Sequence, residues 1–531
     1  MQPLATPEAL AHLTELSLDA TGAFVLFATD DYFAPKESLL RPHAPEWREG
    51  AYTERGKWMD GWESARRRSP GHDWAIVRLG IPGRIEAIVC DTTHFKGNAP
   101  QEVSLEALEA PSDTSLEELL AMPRAHDAAE AASLAGRAWV ECVPRTAVRP
   151  DSVNVLAAAA PPRATHVRLH IHPDGGVARL RVFGRVRPEA DVFRGPGSVD
   201  LAAIENGGTI ALASDSFFGP PGNLLLPGRG TNMGDGWETR RRRTPGSDWC
   251  VIRLGRRGLV QHLELDTHFF KGNAPQAVRI EWLDAGAEAG EMDSSEVKAS
   301  LASESAWRTL VGRTVVSQHR RHRLVPAFGR VVTHLRVHIL PHGGVNRLRV
   351  FGEAADSAGE RRALAHLLEQ PPAARQETLS GFGASAEFAR ALESRLPVVT
   401  VRELLAQAAA ALASLGETDL IAAFSAHPRL GAAPVATDST PHAESSRREQ
   451  AALGASASEL RERLSAGGEA YARKFGFPFL AFASGRGARE LLELLEERLE
   501  NDRPAEISNA SLELARIVRL RIGRWLDAHA D

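Results

Sequence analysis

Asp60-Gly61-Trp62-Glu63, followed by Arg66-Arg67-Arg68 and Pro70-Gly71-His72-Asp73-Trp74, returns later in the chain as Asp235-Gly236-Trp237-Glu238, Arg241-Arg242-Arg243 and Pro245-Gly246-Ser247-Asp248-Trp249. The register, 235 − 60 = 175, holds downstream, where Asp91-Thr92-Thr93-His94-Phe95-Lys96-Gly97-Asn98-Ala99-Pro100 matches Asp266-Thr267-His268-Phe269-Phe270-Lys271-Gly272-Asn273-Ala274-Pro275. A second block closes each copy: His166-Val167-Arg168-Leu169-His170-Ile171 and Arg179-Leu180-Arg181-Val182-Phe183-Gly184 return as His334-Leu335-Arg336-Val337-His338-Ile339 and Arg347-Leu348-Arg349-Val350-Phe351-Gly352. Repetition at a fixed long spacing marks two homologous domains.

Within each copy, short apolar or alternating runs such as Trp74-Ala75-Ile76-Val77-Arg78-Leu79-Gly80 lie between Gly/Pro turns, the pattern of strands in an antiparallel sandwich. Alternation puts Arg168 and His170 on one sheet face and Val167, Leu169 and Ile171 on the other. After Gly352 the texture changes. Glu353-Ala354-Ala355-Asp356-Ser357-Ala358-Gly359 is small and polar, and the remainder is rich in Ala, Leu, Glu and Arg. Thr400 with Glu403 ahead of Leu404-Leu405 predicts a helix start, and Leu460 to Leu464 and Leu491 to Leu495 carry helical spacing. The expected organisation is multidomain: two all-β sandwiches over 1–190 and 191–355, a linker over 356–372, and an all-α domain over 373–531.

Length and charge agree with three folding units handling small metabolites. The chain has 531 residues, and Lys+Arg 63 against Asp+Glu 68 gives net charge -5, with no basic field for nucleic acid or an anionic membrane. Cys90, Cys142 and Cys250 are odd in number and lack C-x-x-C spacing, so they read as reduced thiols. The first residues lack a basic segment followed by an apolar core, and a soluble, cytoplasmic protein is expected.

What the two copies share is largely polar: Asp60/Asp235, Glu63/Glu238, Asp73/Asp248, Asp91/Asp266, Lys96/Lys271 and Asn98/Asn273. A requirement for a common core alone would keep apolar positions. The paired D-G-W-E, D-W and F-K-G-N-x-P blocks resemble those of allantoicase, over about two-thirds of the chain. The resemblance implies two jelly-roll-like, galactose-binding-like sandwiches and the hydrolysis of allantoate to ureidoglycolate and urea. Allantoate carries one carboxylate and two ureido arms, so its site needs cationic donors for the first and carboxylate or amide acceptors for the second. Candidate proton carriers are Glu63, Glu238, His94 and His268. Lys96 and Lys271 could hold the carboxylate, with Asp91, Asp266, Asn98 and Asn273 as further substrate-binding candidates. Trp62, Trp74, Trp237 and Trp249 read mainly as core.

His94 and His268 are one position out of register, 268 − 94 = 174, so the copies are not strict equivalents. His166 and His170, like His334 and His338, lie about 13 Å apart on a strand, too far to share one ion. No metal ligands are assigned, and whether a divalent metal assists the hydrolase stays open.

In the helical third, Ala426-His427-Pro428-Arg429-Leu430-Gly431, Ser446-Arg447-Arg448-Glu449-Gln450, Lys474-Phe475-Gly476-Phe477-Pro478-Phe479 and Arg516-Ile517-Val518-Arg519-Leu520-Arg521-Ile522 resemble the 2-oxo-4-hydroxy-4-carboxy-5-ureidoimidazoline (OHCU) decarboxylase family. The resemblance implies catalytic roles for His427, Glu449 and Arg521, substrate contacts from Ser446, Pro428 and Phe477, and (S)-allantoin as product. Helical spacing adds an independent argument, since Leu514, Ile517, Val518, Arg521 and Trp525 share one face while Arg516 and Arg519 point elsewhere. An inward guanidinium calls for a carboxylate or anionic ligand. Decarboxylation into an adjacent carbonyl and imidazoline needs no cofactor.

The expected partners are small-molecule ureides, allantoate and OHCU, and further copies of the chain as a homo-oligomer, with no nucleic acid or membrane. A competing reading makes the sandwiches non-catalytic ligand-binding modules attached to a working decarboxylase.

Overall fold

The computed structural model describes residues 7–111, 114–125, 130, 138–159, 163–195, 197–286, 295–427, 458–482 and 488–530, in two compact units. One unit contains both copies of the duplication up to Ala355, and the other contains Asp356–Asp531 with short segments that include Ala190–Pro196.

Each sandwich is organised by one long bent strand. In the first copy, the first half of Asp73–Asp91 lies between Phe24–Ala28 and Ala164–His172, and the second half lies between Val153–Ala157 and Arg179–Val186, all antiparallel. Asp248–Asp266 repeats this, first between Thr209–Ala213 and Arg330–Leu340, then between Arg321–Leu324 and Arg347–Ala354. The bend falls at Gly80-Ile81-Pro82-Gly83 and at Gly255-Arg256-Arg257-Gly258. Only glycine fits at its start, because a Cβ on Gly80 would collide with Thr21 Oγ1 and one on Gly255 with the Asn206 carbonyl.

Alternation sorts the faces as expected. Val167, Leu169 and Ile171 enter the core of the first sandwich, and Leu335, Val337 and Ile339 that of the second. Trp62 and Trp237 are fully buried, each donating its indole N–H to a carbonyl, of Asp30 at 2.8 Å and Asp215 at 2.9 Å. Trp74 and Trp249 are only half-buried. The opposite face of the first copy is polar but not solvated. Arg168 and His170 are buried, and Ile76, Leu108, Leu119 and Trp139 form a second small core on that side.

The helical unit corrects the expected linker over 356–372. Ser357 Oγ accepts from the Glu360 N–H at 3.1 Å and the Glu360 carboxylate accepts from the Ser357 N–H at 2.9 Å, a complete capping box. This starts the helix Ala358–Glu369, which buries Ala363, Leu364 and Leu367 in the unit's core. The small polar stretch is thus a helix start, not a spacer. The expected helix after Thr400 is present as Val401–Ala413, with Thr400 Oγ1 accepting from the Glu403 N–H at 3.1 Å. Helices Ser458–Phe475, Ala488–Leu499 and Arg503–Ala528 complete the unit's larger elements. Among the described residues, no single helix is long and apolar enough to cross a membrane.

Candidate active sites

In each sandwich the D-G-W-E motif ends in a two-residue strand whose glutamate meets the asparagine of the F-K-G-N block. Asn98 Nδ2 donates to Glu63 Oε1 at 2.7 Å, and Asn273 Nδ2 donates to Glu238 Oε1 at 2.5 Å. Strands Trp62–Glu63 and Trp237–Glu238 pair with Gly176–Val177 and Gly344–Val345, which fixes each glutamate's backbone. Close packing explains the glycines. A Cβ on Gly176 or Gly344 would strike the ring of Phe95 or Phe270. Burial raises the Glu63 pKa above the usual carboxylate value, and the Asn98 bond offsets this only in part.

The other predicted residues divide. Asp91 and Asp266 are buried and serve as turn caps, accepting from the Thr93 N–H at 2.8 Å and the His268 N–H at 2.9 Å. Lys96 is 78% exposed with its Nζ 3.7 Å from Asp151, and Lys271 is exposed. His94 and Phe269 share positive φ, 73° and 68°, so the histidine slip is a true difference between the copies: His94 is matched by Phe269, and His268 by Thr93. His94 packs against Trp47, with ring centroids 5.6 Å apart, while His268 stacks on His319 at 3.9 Å.

In the helical unit, His427 follows the end of helix Glu417–Ser425, as Pro428 after it requires. Its Nδ1 lies 2.8 Å from the Ala423 carbonyl. A carbonyl can only accept, so Nδ1 carries the hydrogen and Nε2 is the basic atom of the neutral ring. Arg521 is buried on Arg503–Ala528, beside Ile517, Val518 and Ile522, as helical spacing predicts, while Arg516 is mostly exposed and paired with Glu513. Trp525 is only half-buried. The helix Glu417–Ser425, which ends just before His427, packs against the helix bearing Arg521. Phe477 is buried in an aromatic cluster, 5.1 Å from Phe424, so its ring belongs to the core. Pro428, Ser446 and Glu449 lie outside the described residues.

An allantoicase-repeat model matches residues 14–187 and 199–355. The chain belongs to the allantoicase family. It is similar to a probable allantoicase of Burkholderia mallei, 40% identical over 65% of this chain and 96% of that protein. A second relative, a probable allantoicase of Photobacterium profundum, is 42% identical over 62% of this chain and 93% of its own length. The crystal structure of allantoicase from Saccharomyces cerevisiae superposes with a TM-score of 0.52 at 31% identity, covering 65% of this chain and 94% of that one. Residues 354–523 match the OHCU decarboxylase model. The chain therefore joins a hydrolase-family and a lyase-family region, both of purine breakdown.

Each allantoicase repeat also contains a buried polar network missing from the expected site. Glu106 accepts from Arg168 Nε at 2.7 Å and from His170 Nε2 at 2.9 Å, and Glu281 accepts from Arg336 Nε at 2.7 Å and His338 Nε2 at 2.9 Å. The signal was present, since 106 + 175 = 281 keeps the register and the Arg and His pairs stand in the shared closing block. In the first repeat the network extends further, with His72 Nε2 2.9 Å from His170 Nδ1. The second has Ser247 there, 3.1 Å from His338.

Proposed function

We propose that the chain catalyses two reactions of ureide breakdown: allantoate with water to ureidoglycolate and urea, and OHCU to (S)-allantoin and carbon dioxide. The observation that carries the hydrolase reading is the glutamate–asparagine pair built identically in both repeats. In the hydrolysis the central C–N bond breaks, the departing nitrogen takes a proton, and the carbon takes the oxygen of water. A carboxyl held by one amide bond has its other oxygen available to deliver that proton. Asparagine fixes its direction.

For the decarboxylase, His427 moves the proton through Nε2, Arg521 stabilises the carboxylate and the developing oxyanion, and Glu449 orients the histidine or the substrate. The C–CO2 bond breaks, its electron pair passes into the adjacent carbonyl and imidazoline, and a proton then arrives at carbon. No cofactor enters this scheme. Burial of His427, just past the end of one helix, and of Arg521, on a helix packed against it, supports it.

The test uses the full-length chain. Urea and ureidoglycolate released from allantoate support the hydrolase reading. Release of neither leaves the sandwiches as non-catalytic modules. For the second reaction, freshly generated OHCU is followed by the circular dichroism of (S)-allantoin, and decay no faster than without protein removes the decarboxylase reading.

A further inference from the structure

The two allantoicase repeats differ most where their shared residues surround the glutamate. Between the buried leucines and the D-G-W-E motif, the first repeat runs from Arg41 to Met59, 19 residues, and the second from Leu226 to Gly234, 9 residues, by count along the sequence. The longer segment lies over its own site. The Pro45 carbonyl is 3.3 Å from His94 Nε2, Trp47 packs on His94, and Lys57 Nζ sits 4.1 Å above the Trp47 ring. Arg41, Arg179 and the Glu46 N–H all donate to the Asp60 carboxylate, at 2.6, 2.7 and 2.9 Å. Asp60, Gly61, Trp62 and Glu63 are all buried.

In the second repeat Asp235 and Glu238 are half-buried and reach solvent. The contacts around them run continuously. Glu238 binds Asn273, whose Nδ2 is also 3.8 Å from Met233 Sδ, and the buried Asn346 donates to the carbonyls of Asn232 and His268 at 3.2 and 3.3 Å.

Charge differs as well. Asp151 (φ 49°) and His319 (φ 52°) occupy the same place, each accepting at 2.8 Å from the backbone N–H of the equivalent residues His94 and Phe269. A carboxylate in the first repeat is an imidazole in the second. Because His319 Nδ1 accepts that bond, Nε2 carries the hydrogen and can donate to a ligand. Arg229, 53% exposed, adds a guanidinium with its Nε 3.5 Å from Asp266 Oδ2, and Lys271 is exposed beside the same loop. The His319 pKa is lowered, first by loss of water against its neighbours and then by the positive charges of His268, Lys271 and Arg229, with Asp266 opposing. Where the first repeat sets Asp151 against Lys96, the second sets an imidazole and a guanidinium near Lys271, a charge balance more favourable to an anion.

We infer that the second repeat carries the working site of the hydrolase, with Arg229, Lys271 and His319 binding the substrate carboxylate beside Glu238, and that the first repeat's equivalent site is filled by its own 41–59 segment. This rests on the allantoate reading above.

The experiment measures urea release by the full-length chain. Arg229→Ala, Lys271→Ala and His319→Ala, all at exposed positions, should each raise the KM for allantoate several-fold with a smaller change in kcat and unchanged thermal melting. Trp47→Ala and Lys57→Ala should leave KM within about twofold. Unchanged KM in all three second-repeat variants, or a rise with Lys96→Ala but not with Lys271→Ala, overturns the inference. If the wild-type chain releases no urea, the hydrolase reading fails on its own, and calorimetric titration of allantoate then decides the site. Binding abolished in the triple variant sustains it; binding retained there, or absent from the wild type, overturns it.

Discussion

Asn273 is bonded to Glu238 across 2.5 Å, and Asn98 to Glu63 across 2.7 Å, yet Glu63 is buried and Glu238 only half-buried. The same bond therefore does different work in each place. Around Glu63 it offsets a desolvation cost, and around Glu238 it aims a carboxylate toward solvent. Asn98→Ala should lower stability by about 1–3 kcal/mol, because it leaves a buried acceptor unsatisfied. Asn273→Ala should cost less stability but more kcat for urea release. Urea denaturation and steady-state kinetics on the two variants check this, and the reverse order would contradict the different burial of the pair.

The Glu106 carboxyl is held below the usual carboxylate range: burial pushes it up, but bonding to His170 and the charge of Arg168 outweigh that. A lowered folded-state value contributes stability above the ordinary carboxyl pKa that is lost as pH falls through the folded value. Glu106→Gln should cost about 3–5 kcal/mol at neutral pH, the usual penalty for breaking a buried ionic network by one partner, and should flatten the acid limb of the stability curve. Thermal melting against pH reads both effects.

His166 is buried, and burial followed by the charge of Arg78 lowers its pKa from 6.5 to about 4. The unfolded chain then takes up a proton that the folded chain refuses, so stability is full above the ordinary histidine pKa and falls between pH 6.5 and 4. The slope integrates to at most about 3 kcal/mol. His166→Gln, which cannot titrate there, should melt with less pH dependence across that window. An unchanged slope would assign the acid sensitivity to other groups.

In the helical unit, Glu506 is fully buried and accepts from Tyr471 Oη at 2.6 Å and Asn501 Nδ2 at 2.8 Å, with Arg498 paired to it. Arg498→Met leaves that carboxylate without its counter-charge. A loss of about 3–5 kcal/mol is expected, large enough to depress decarboxylation through unfolding at moderate temperature. Ser357→Ala, which removes one cap, should cost only about 1 kcal/mol.

Much of the fold could be read from residues. Duplication supplied the two sandwiches, and alternation along Val167 to Ile171 supplied the sheet faces, because a strand with one core side must alternate. What alternation could not reveal was a second cover over Arg168 and His170, since a buried ion network and a solvated polar face look alike in one dimension. The stretch after Gly352 reads as a linker for a related reason: Ser357 and Glu360 are polar, and only their reciprocal bonds make them a helix start.

The candidate sites were legible to different depths. The burial of Arg521 follows from helical spacing, because helical periodicity is local. The glutamate–asparagine pairs bring together residues 35 apart in each repeat, a proximity that only the sandwich creates. His319 and Arg229 carry no signal from the duplication, because neither is shared between the copies.

Arg194 stands in the sequence between the two sandwiches, but its buried guanidinium binds Glu360 at 2.7 Å and Asp527 at 2.6 Å within the helical unit. Cutting the gene at the family boundary near residue 355 would therefore not yield two self-sufficient proteins. The first product would expose an arginine made for the interior, and the second would bury Glu360 without its cation. A lineage that split this gene would have to replace both ends of that ion pair together.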